Sequence, residues 1–134
     1  MASKTNLKAN LYLGKAGEDL ALDFLSGRGY RVISRNYRTR FGEIDIIAYD
    51  GPAVCFIEVK TRGQARFGAP EEAVQRRKQR HMVKAATYFL TSNNLLESPS
   101  RFDVVSIDFT GAQPQITLIQ GAFVLDENDG VNDV

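Results

Sequence analysis

Near the start of the chain, apolar and small residues recur at the roughly 3.6-residue spacing of an amphipathic helix. The residues that share this face are Leu13, Gly17, Leu20, Ala21 and Phe24. Gly27 and Gly29 follow shortly afterwards, and glycine commonly ends a helix. The pattern therefore predicts a first helix over residues 12–26 that packs one face against the rest of the protein.

Beyond that helix, the hydrophobic pattern changes to the two-residue alternation of β-strands, interrupted by one long helical stretch. Asp50-Gly51-Pro52 is a turn sequence, and Pro70 suits the first turn of a helix. The later elements are predicted as strands over 30–37, 43–49 and 53–61, a helix over 70–90, and strands over 101–109 and 115–120. The order αβββαββ predicts an α/β sandwich with helices packed on a mixed central sheet.

Length and composition limit how the chain is organised. Its 134 residues are 43% hydrophobic and 25% charged, which suits one globular domain, predicted over 1–125 with residues 1–11 flexible. The longest apolar stretch, 53–57, is too short for a membrane span, and the first residues have no apolar block of the secretory type. A single cysteine, Cys55, excludes an internal disulfide. We therefore expect a cytoplasmic protein without a membrane partner.

Charge is distributed unevenly along the sequence, although the formal net charge is only +1. Residues 126–134 contain four acidic residues and no Lys or Arg, which predicts an acidic, disordered tail. Between Arg28 and Lys84 there are thirteen Lys or Arg and six Asp or Glu. Such a basic stretch suits a polyanionic partner such as nucleic acid, although a solvated surface alone also has this composition.

The hairpin around Gly51 and Pro52 is predicted to bring two carboxylates together. If these two residues form the centre of the turn, Asp45 lies opposite Glu58, with Lys60 on the same face. Opposed carboxylates with Cβ atoms about 5 Å apart repel by about 3 kcal/mol at an intermediate dielectric. Mg²⁺ would remove this repulsion, since it commonly binds one or two carboxylates together with water and phosphate oxygens. The pattern therefore indicates metal-assisted phosphodiester hydrolysis, with Lys60 acting on a water or a phosphate.

The same register also allows an interpretation that requires no function. It sets Glu43 opposite Lys60, and this ion pair, with the two carboxylates turned to water at a sheet edge, needs no catalysis. Strand spacing alone does not decide between the two interpretations. The register further assigns Ile44 and Ile46 to the same apolar face of the hairpin.

Both predicted helices carry polar residues beside their apolar faces. Glu18 flanks the apolar face of the first helix, as a further metal or water ligand or as a simple boundary residue. In the second helix, Gln75 and Lys78 lie on the stripe that Met82 and Phe89 continue. A polar site at that end of the helix explains this placement, and an exposed helix start explains it equally well.

Basic residues near the hairpin and on the second helix are candidate contacts to a phosphate backbone, although each alone is also compatible with a solvated surface. They are Arg38, Arg40, Arg62, Arg66, Arg76, Arg77, Lys78 and Arg80. Motifs of several other chemistries are missing from the sequence. It has no Gly-x-Ser-x-Gly nucleophile elbow, no phosphate-binding loop ending in Gly-Lys-Ser/Thr and no Cys-x-x-Cys zinc pattern.

Three short motifs resemble a known family. The segments 14–18 (GKAGE), 42–45 (GEID) and 58–62 (EVKTR) occur in the order and spacing of the YraN-like family of small bacterial proteins. The second and third motifs also resemble the active-site hairpin of the PD-(D/E)XK nuclease superfamily. Glu18 is similar to the extra acid of archaeal Holliday-junction resolvases, and Ile44 stands where the superfamily pattern has proline.

This resemblance implies a restriction-endonuclease-like three-layer sandwich and a nuclease that uses Mg²⁺, for which Mn²⁺ can substitute. The implied site residues are Asp45, Glu58 and the main-chain carbonyl of Val59 as metal ligands, Lys60 acting on the attacking water, Glu18 as an auxiliary acid, and Gln75 as the helix glutamine of some superfamily members. DNA, branched or single-stranded, is favoured over RNA as the partner. A homodimer that pairs two sites is compatible with a junction-type enzyme.

Two hypotheses follow from the sequence. The first is a metal-dependent endonuclease, in which Asp45→Ala, Glu58→Ala or Lys60→Ala abolishes cleavage. The second is a catalytically inactive nucleic-acid-binding or assembly protein that retains the nuclease fold. In the second case, salt-sensitive binding survives those substitutions and depends on the basic residues of the second helix.

Overall fold

The computed structural model describes residues 4–63 and 76–123. Over these ranges the elements are α1 (Lys4–Gly27), β1 (Arg31–Thr39), β2 (Gly42–Asp50), β3 (Ala53–Arg62), α2 (Arg76–Ser92), β4 (Ser100–Asp108) and β5 (Gln115–Ile119). The predicted order αβββαββ is confirmed. Neither of the helices described is long and apolar enough to cross a membrane.

The helix starts differ from the predictions or lie outside the described ranges. The predicted start of α1 at Tyr12 was wrong, because the helix begins at Lys4. Residues 4–11 contain Leu, Lys and Ala and no Gly or Pro, so their helix propensity extends the element beyond the apolar stripe on which the prediction relied. The predicted start of the second helix at Pro70 lies outside the described residues, as does the acidic segment 126–134.

The five strands form one mixed sheet in the order β1-β2-β3-β4-β5. Neighbouring strands are antiparallel except β3 and β4, which are parallel. A parallel pair needs a long crossover connection, and α2 lies in the segment that connects these two strands. The predicted mixed sheet is therefore confirmed.

The two helices cover opposite faces of the sheet. Ala21 and Leu25 of α1 pack against one face, which we call the α1 face, together with buried residues such as Ile57. Ala85 and Phe89 of α2 pack against the other, the α2 face, in a separate buried cluster. This three-layer α/β arrangement is consistent with a restriction-endonuclease-like sandwich.

Gly17 allows α1 to approach the end of β3 closely. A Cβ atom at this position would overlap Cγ2 of Thr61 and would also contact Ile107. Because β3 continues directly from Glu58 to Thr61, this contact fixes α1 beside the end of the strand that carries the predicted site. Substitution of Gly17 by a larger residue would force the helix and the strand apart.

The register of the central hairpin is the predicted one near the turn and departs from it farther away. The pairs from Asp50–Ala53 to Ile46–Ile57 follow the predicted arithmetic, and the pairing of β2 with β3 ends there. The assignment of Ile44 to the same face as Ile46 was wrong, because Ile44 packs in the α2 cluster. Strict alternation is interrupted at Asp45, between these two residues, where β2 leaves its ladder with β3.

Candidate active site

Asp45 lies where β2 and β3 separate. Its Oδ2 accepts a hydrogen bond of 2.8 Å from the main-chain N–H of Val59, beyond the last paired residues Ile46 and Ile57. A side-chain carboxylate therefore takes the place of a main-chain acceptor at the end of the ladder. This bond turns the Asp45 carboxylate inward, toward β3, and holds it there.

Glu58 is a buried carboxylate with one described ammonium partner. The residue is 4% exposed, and its Oε2 lies 2.6 Å from Nζ of Lys78 on α2. Lys78 reaches inward from the first turns of the helix, and about half of its side chain remains accessible. Glu58 therefore points to the α2 face of the sheet, where the ammonium shields its charge.

The two carboxylates interact strongly enough to change protonation. Burial, followed by the negative charge of Glu58, raises the pKa of Asp45 to about 7. The Val59 N–H and the Lys78 ammonium act in the opposite direction and only partly offset these effects. The predicted convergence of Asp45 and Glu58 is therefore present in the fold, and near neutral pH Asp45 takes up a proton readily.

Lys78, and not Lys60, is the ammonium that contacts Glu58 within the described residues, while the role of Lys60 stays a prediction. Burial alone lowers the pKa of Lys78, but the hydrogen bond and charge of Glu58, together with the charge of Asp45, raise it above its ordinary value. Lys60 follows Glu58 by two positions on β3 and is half-buried, and no hydrogen bond or ion pair of its side chain occurs within the described residues. The signal for Lys78 was present in the sequence, since a charged residue on an apolar helix stripe must find a partner.

The functionless interpretation of the hairpin required an ion pair between Glu43 and Lys60. The structure contradicts this pairing, because Glu43 instead lies 3.3 Å from the guanidinium of Arg38 across β1 and β2, with both side chains exposed. Glu58 is also not turned to water at a sheet edge. Asp45 and Glu58 thus form a partly buried cluster rather than two solvent-exposed carboxylates.

Within the described part of the chain, Glu18 makes no recorded contact with Asp45 or Glu58. Its Oε1 lies 3.5 Å from the guanidinium of Arg35 on β1, which also lies 3.3 Å from Asp19. An auxiliary role for Glu18 would require its carboxylate to leave Arg35, and that role stays a prediction. Gln75 and Arg66 lie outside the described residues.

The remaining predicted phosphate contacts are spread over two regions. Arg38 and Arg40 lie at the turn between β1 and β2, and Arg62 ends β3 with its guanidinium 3.9 Å from Asp108. The side chains of Arg76 and Arg77 are exposed at the start of α2, and Arg80 is partly buried one turn farther on. The start of α2 carries Lys78, and the turn residues line a cavity with Tyr88 farther along the same helix.

A cavity of about 300 Å³ opens beside the carboxylate pair. It is lined by Gly42, Glu43, Arg77, Lys78, His81 and Met82. Because Lys78 is common to the cavity and to the carboxylate cluster, a molecule in the cavity would meet the ammonium that contacts Glu58. The cavity therefore offers an approach to the cluster, and cationic side chains line its wall.

The donor set fits a hard divalent cation with few protein ligands. Within the ranges 4–63 and 76–123, there is no group of three or more His, Cys, Asp or Glu side chains placed so that it could hold a metal ion. The two carboxylates and one ammonium leave an excess of negative charge when both acids are ionised. Mg²⁺ suits such a site, because it is commonly held by one or two carboxylates and completes its shell with water and phosphate oxygens.

A second acidic cluster lies on the α1 face, and the sequence analysis missed it. Asp103 is fully buried and accepts hydrogen bonds from Arg101 Nε at 2.9 Å, the Tyr30 hydroxyl at 3.0 Å and the Gly121 N–H at 3.0 Å. The Arg101 guanidinium also lies 2.7 Å from Asp50. Arg101 and Asp103 lie two residues apart on one face of β4, and this spacing of opposite charges was the sequence signal for the cluster.

Comparison with known proteins identifies the family of the chain. The model of the uncharacterised protein family UPF0102 matches residues 17–107, which contain both carboxylates and most of the sheet. The chain belongs to the UPF0102 family. This confirms the predicted YraN-like membership, since UPF0102 is that family.

Individual relatives are similar over most of their length. A UPF0102 protein of Geobacter metallireducens is 47% identical over 116 residues, covering 87% of this chain and 95% of the relative. A UPF0102 protein of Chlorobium limicola is 53% identical over 95 residues, covering 71% of this chain and 74% of the relative. A UPF0102 protein of Symbiobacterium thermophilum is 46% identical over 112 residues, covering 83% of this chain and 95% of the relative. These names state a family and no activity.

Proposed function

We propose that this UPF0102 protein is a metal-dependent nuclease of the PD-(D/E)XK type that hydrolyses phosphodiester bonds in DNA. The observation that carries the proposal is the convergence of Asp45 and Glu58 in a partly buried cluster with one ammonium, Lys78. Acidic groups whose pKa is strongly raised by burial and by a neighbouring charge are enriched at functional sites.

Asp45, Glu58 and the main-chain carbonyl of Val59 would hold the metal. When bound, Mg²⁺ or Mn²⁺ supplies Lewis-acid stabilisation of charge on a phosphate and lowers the pKa of a bound water. The N–H of Val59 already fixes one oxygen of Asp45, which leaves its other oxygen for the cation. Replacement of a proton on Asp45 by a divalent cation relieves the same repulsion that raises the pKa of this carboxyl.

The chain offers two ammonium groups for the reacting phosphate. Lys78 contacts Glu58 directly, and Lys60 lies two positions beyond Glu58 on the same strand. Either group can stabilise negative charge that develops on the phosphate or orient the attacking water. Their positions differ, because Lys78 competes with a metal for Glu58 whereas Lys60 has no such described contact.

The substrate class rests on charge and on the resemblance to nucleases. The exposed guanidinium groups at the start of α2 suit a phosphate backbone, while DNA rather than RNA, branched or single-stranded, is taken from the resemblance. A cytoplasmic location, where Cys55 stays reduced, and a homodimer that pairs two sites remain predictions.

The proposal is tested by cleavage of a panel of linear, single-stranded and branched DNA with and without Mg²⁺ or Mn²⁺. We expect metal-dependent cleavage that falls at least about 100-fold in Asp45→Asn and Glu58→Gln. Parallel Lys60→Met and Lys78→Met variants show which ammonium serves the reaction. Asp23→Asn, which removes an exposed carboxylate on α1, is the matched control and should retain cleavage.

Cleavage that persists unchanged in Asp45→Asn and Glu58→Gln would identify a contaminant and contradict the proposal. Absence of cleavage, combined with salt-sensitive DNA binding that survives both substitutions, would instead support a binding or assembly protein. That outcome would be strengthened if neutralisation of Arg76, Arg77 and Arg80 removed the binding.

A further inference from the structure

A second cavity, of about 420 Å³, lies beside the turn between β1 and β2. The side chains of Arg38, Arg40, Phe41 and Tyr88 line it, and we call these four residues the aromatic patch. The ring centroids of Phe41 and Tyr88 are 6.4 Å apart with planes inclined at 55°, and the Arg40 guanidinium lies 4.9 Å from the Phe41 centroid. Tyr88 is 53% exposed and Phe41 is half-buried, and neither belongs to the buried core clusters.

The turn that carries Phe41 is held in a defined conformation. The Phe41 N–H donates to Oγ1 of Thr39 at 3.0 Å, and the same hydroxyl donates to the carbonyl of Gly42 at 3.0 Å. Gly42 has a φ of 154°, and a Cβ there would lie 3.0 Å from Cβ of His81 on α2. A surface that is ordered before binding loses little conformational entropy when a ligand stacks on it.

The chemistry of the patch suits unpaired nucleotides. Single-stranded nucleic acid is commonly bound by aromatic rings on which bases stack, next to cationic groups that contact the phosphates. In a duplex, neighbouring base pairs cover the faces of each base, so exposed rings offer a duplex little. Arg38 is exposed and forms an ion pair with exposed Glu43, and a phosphate can replace such a carboxylate at small cost.

The patch and the carboxylate pair lie along the same helix. Tyr88 and Lys78 are ten residues apart on α2, which corresponds to about 15 Å along the helix axis. The cavity that contains His81 and Lys78 also begins at Gly42, the residue that follows Phe41 in the turn. A strand that stacks on the rings is therefore only a few nucleotides from Glu58.

We propose that the aromatic patch binds an unpaired nucleic-acid strand and directs it along α2 toward the carboxylate pair. This inference rests on the proposed function and narrows its substrate to DNA with unpaired nucleotides close to the cleaved bond. It gives Phe41 and Tyr88 a role in substrate binding that does not involve the metal.

The test measures binding of the full-length protein without metal, in EDTA and at low salt. Fluorescence anisotropy is recorded with a single-stranded oligonucleotide of about 12 nucleotides and with a blunt duplex of the same sequence. Tyr88→Leu and Phe41→Leu, which keep apolar volume but remove the ring, are each expected to weaken single-strand binding about five- to tenfold. Duplex binding is expected to stay unchanged.

A matched control exists for the charge in the patch. The Arg28 guanidinium lies 4.8 Å from the ring of Phe24 at the end of α1, an arrangement like that of Arg40 on Phe41. Arg40→Gln is expected to weaken single-strand binding, whereas Arg28→Gln, with the same change of charge, is not. Equal effects of the two substitutions would overturn the assignment of the patch.

A second measurement needs no variant. An oligonucleotide that contains the fluorescent base analogue 2-aminopurine is titrated with the wild-type protein, and stacking of the analogue on a ring should quench its emission. Unchanged emission on binding would overturn the proposal, as would leucine variants that bind single strands like wild type or that lose duplex binding equally.

The failure of this proposal can be told apart from failure of the proposed function. Binding in EDTA requires neither metal nor cleavage, so ring-dependent single-strand binding can be present in a protein that never cleaves DNA. Conversely, Mn²⁺ binding that depends on Asp45, measured by calorimetry on the same variants, would stand if the rings proved irrelevant. Retention of that Mn²⁺ binding in Tyr88→Leu also shows that the variant is folded.

Discussion

The sheet carries two buried acidic clusters that differ in how their charge is balanced. Asp103 accepts hydrogen bonds from a guanidinium, a hydroxyl and a main-chain N–H, and all of these donors belong to neighbouring parts of the fold. Glu58 contacts the Lys78 ammonium, and burial together with the negative charge of Glu58 raises the pKa of Asp45 to about 7. Asp103 thus has donors for both of its carboxylate oxygens, whereas the pair on the α2 face has one ammonium and one main-chain N–H for two carboxylates among the described residues.

The comparison shows which feature of a buried acid points to function. Both clusters contain buried, charged side chains, and Asp103 is even more buried than Glu58. Each cluster has two carboxylates and one described cation, but Asp103 also accepts hydrogen bonds from Tyr30 and Gly121, whereas the pair on the α2 face has only the Val59 N–H in addition among the described residues. It also lies beside a cavity with cationic walls, while the Asp103 network joins β4 to Tyr30 and to the β2–β3 turn.

The largest expected effect is the loss of stability when the Asp103 cluster is broken. Asp103→Ala leaves the guanidinium of Arg101 partly buried without its main counter-charge, and it removes the acceptor for Tyr30 and Gly121. We expect the free energy of unfolding to fall by about 3–5 kcal/mol, measured by urea denaturation. Asp108→Ala on the same strand is the control and should cost much less. A loss near that of the control would mean that the network is not structural.

The next effect is the pH dependence of stability that Asp45 causes. Its pKa is about 7 in the fold and lower in the unfolded chain, so the folded state binds more protons between these values. The stabilising contribution is complete below the unfolded pKa and is lost as the pH rises through about 7. Between about pH 5 and about pH 8, wild type should therefore lose about 2 kcal/mol relative to Asp45→Asn.

Urea denaturation at the two pH values checks this expectation. Asp103 offers the comparison, since it accepts hydrogen bonds from Arg101, Tyr30 and Gly121. Identical pH profiles for wild type and Asp45→Asn would show that the pKa of Asp45 is not raised in the folded protein.

The smallest expected effect is the competition between Lys78 and a divalent cation. Lys78→Met removes the ammonium from Glu58 while it keeps the apolar stem of the side chain. Because a half-exposed ion pair contributes at most about 1 kcal/mol, Mn²⁺ should bind about fivefold more tightly to the variant, as measured by calorimetry. Weaker Mn²⁺ binding in Lys78→Met would mean that the ammonium supports the metal site rather than competes for it.

Several parts of the fold follow from local sequence. The turn residues Gly51 and Pro52 set the pairing of β2 with β3 from Asp50–Ala53 to Ile46–Ile57, as predicted. Register near a tight turn depends on few residues, and alternation then carries it along the strand. The convergence of Asp45 and Glu58 was predictable for the same reason, even though their ladder ends one pair earlier.

Other parts were decided only when distant elements packed together. The sequence by itself determined which residues share a face of each strand or helix, because the periods of about 2 and about 3.6 residues are local properties of the backbone. It did not determine that α2 crosses the sheet where Lys78 meets Glu58, or that Tyr30, which follows α1, reaches Asp103 on β4. Those partners depend on how far each helix slides over the sheet, and that position is set by close contacts such as Gly17 against Thr61 and Gly42 against His81.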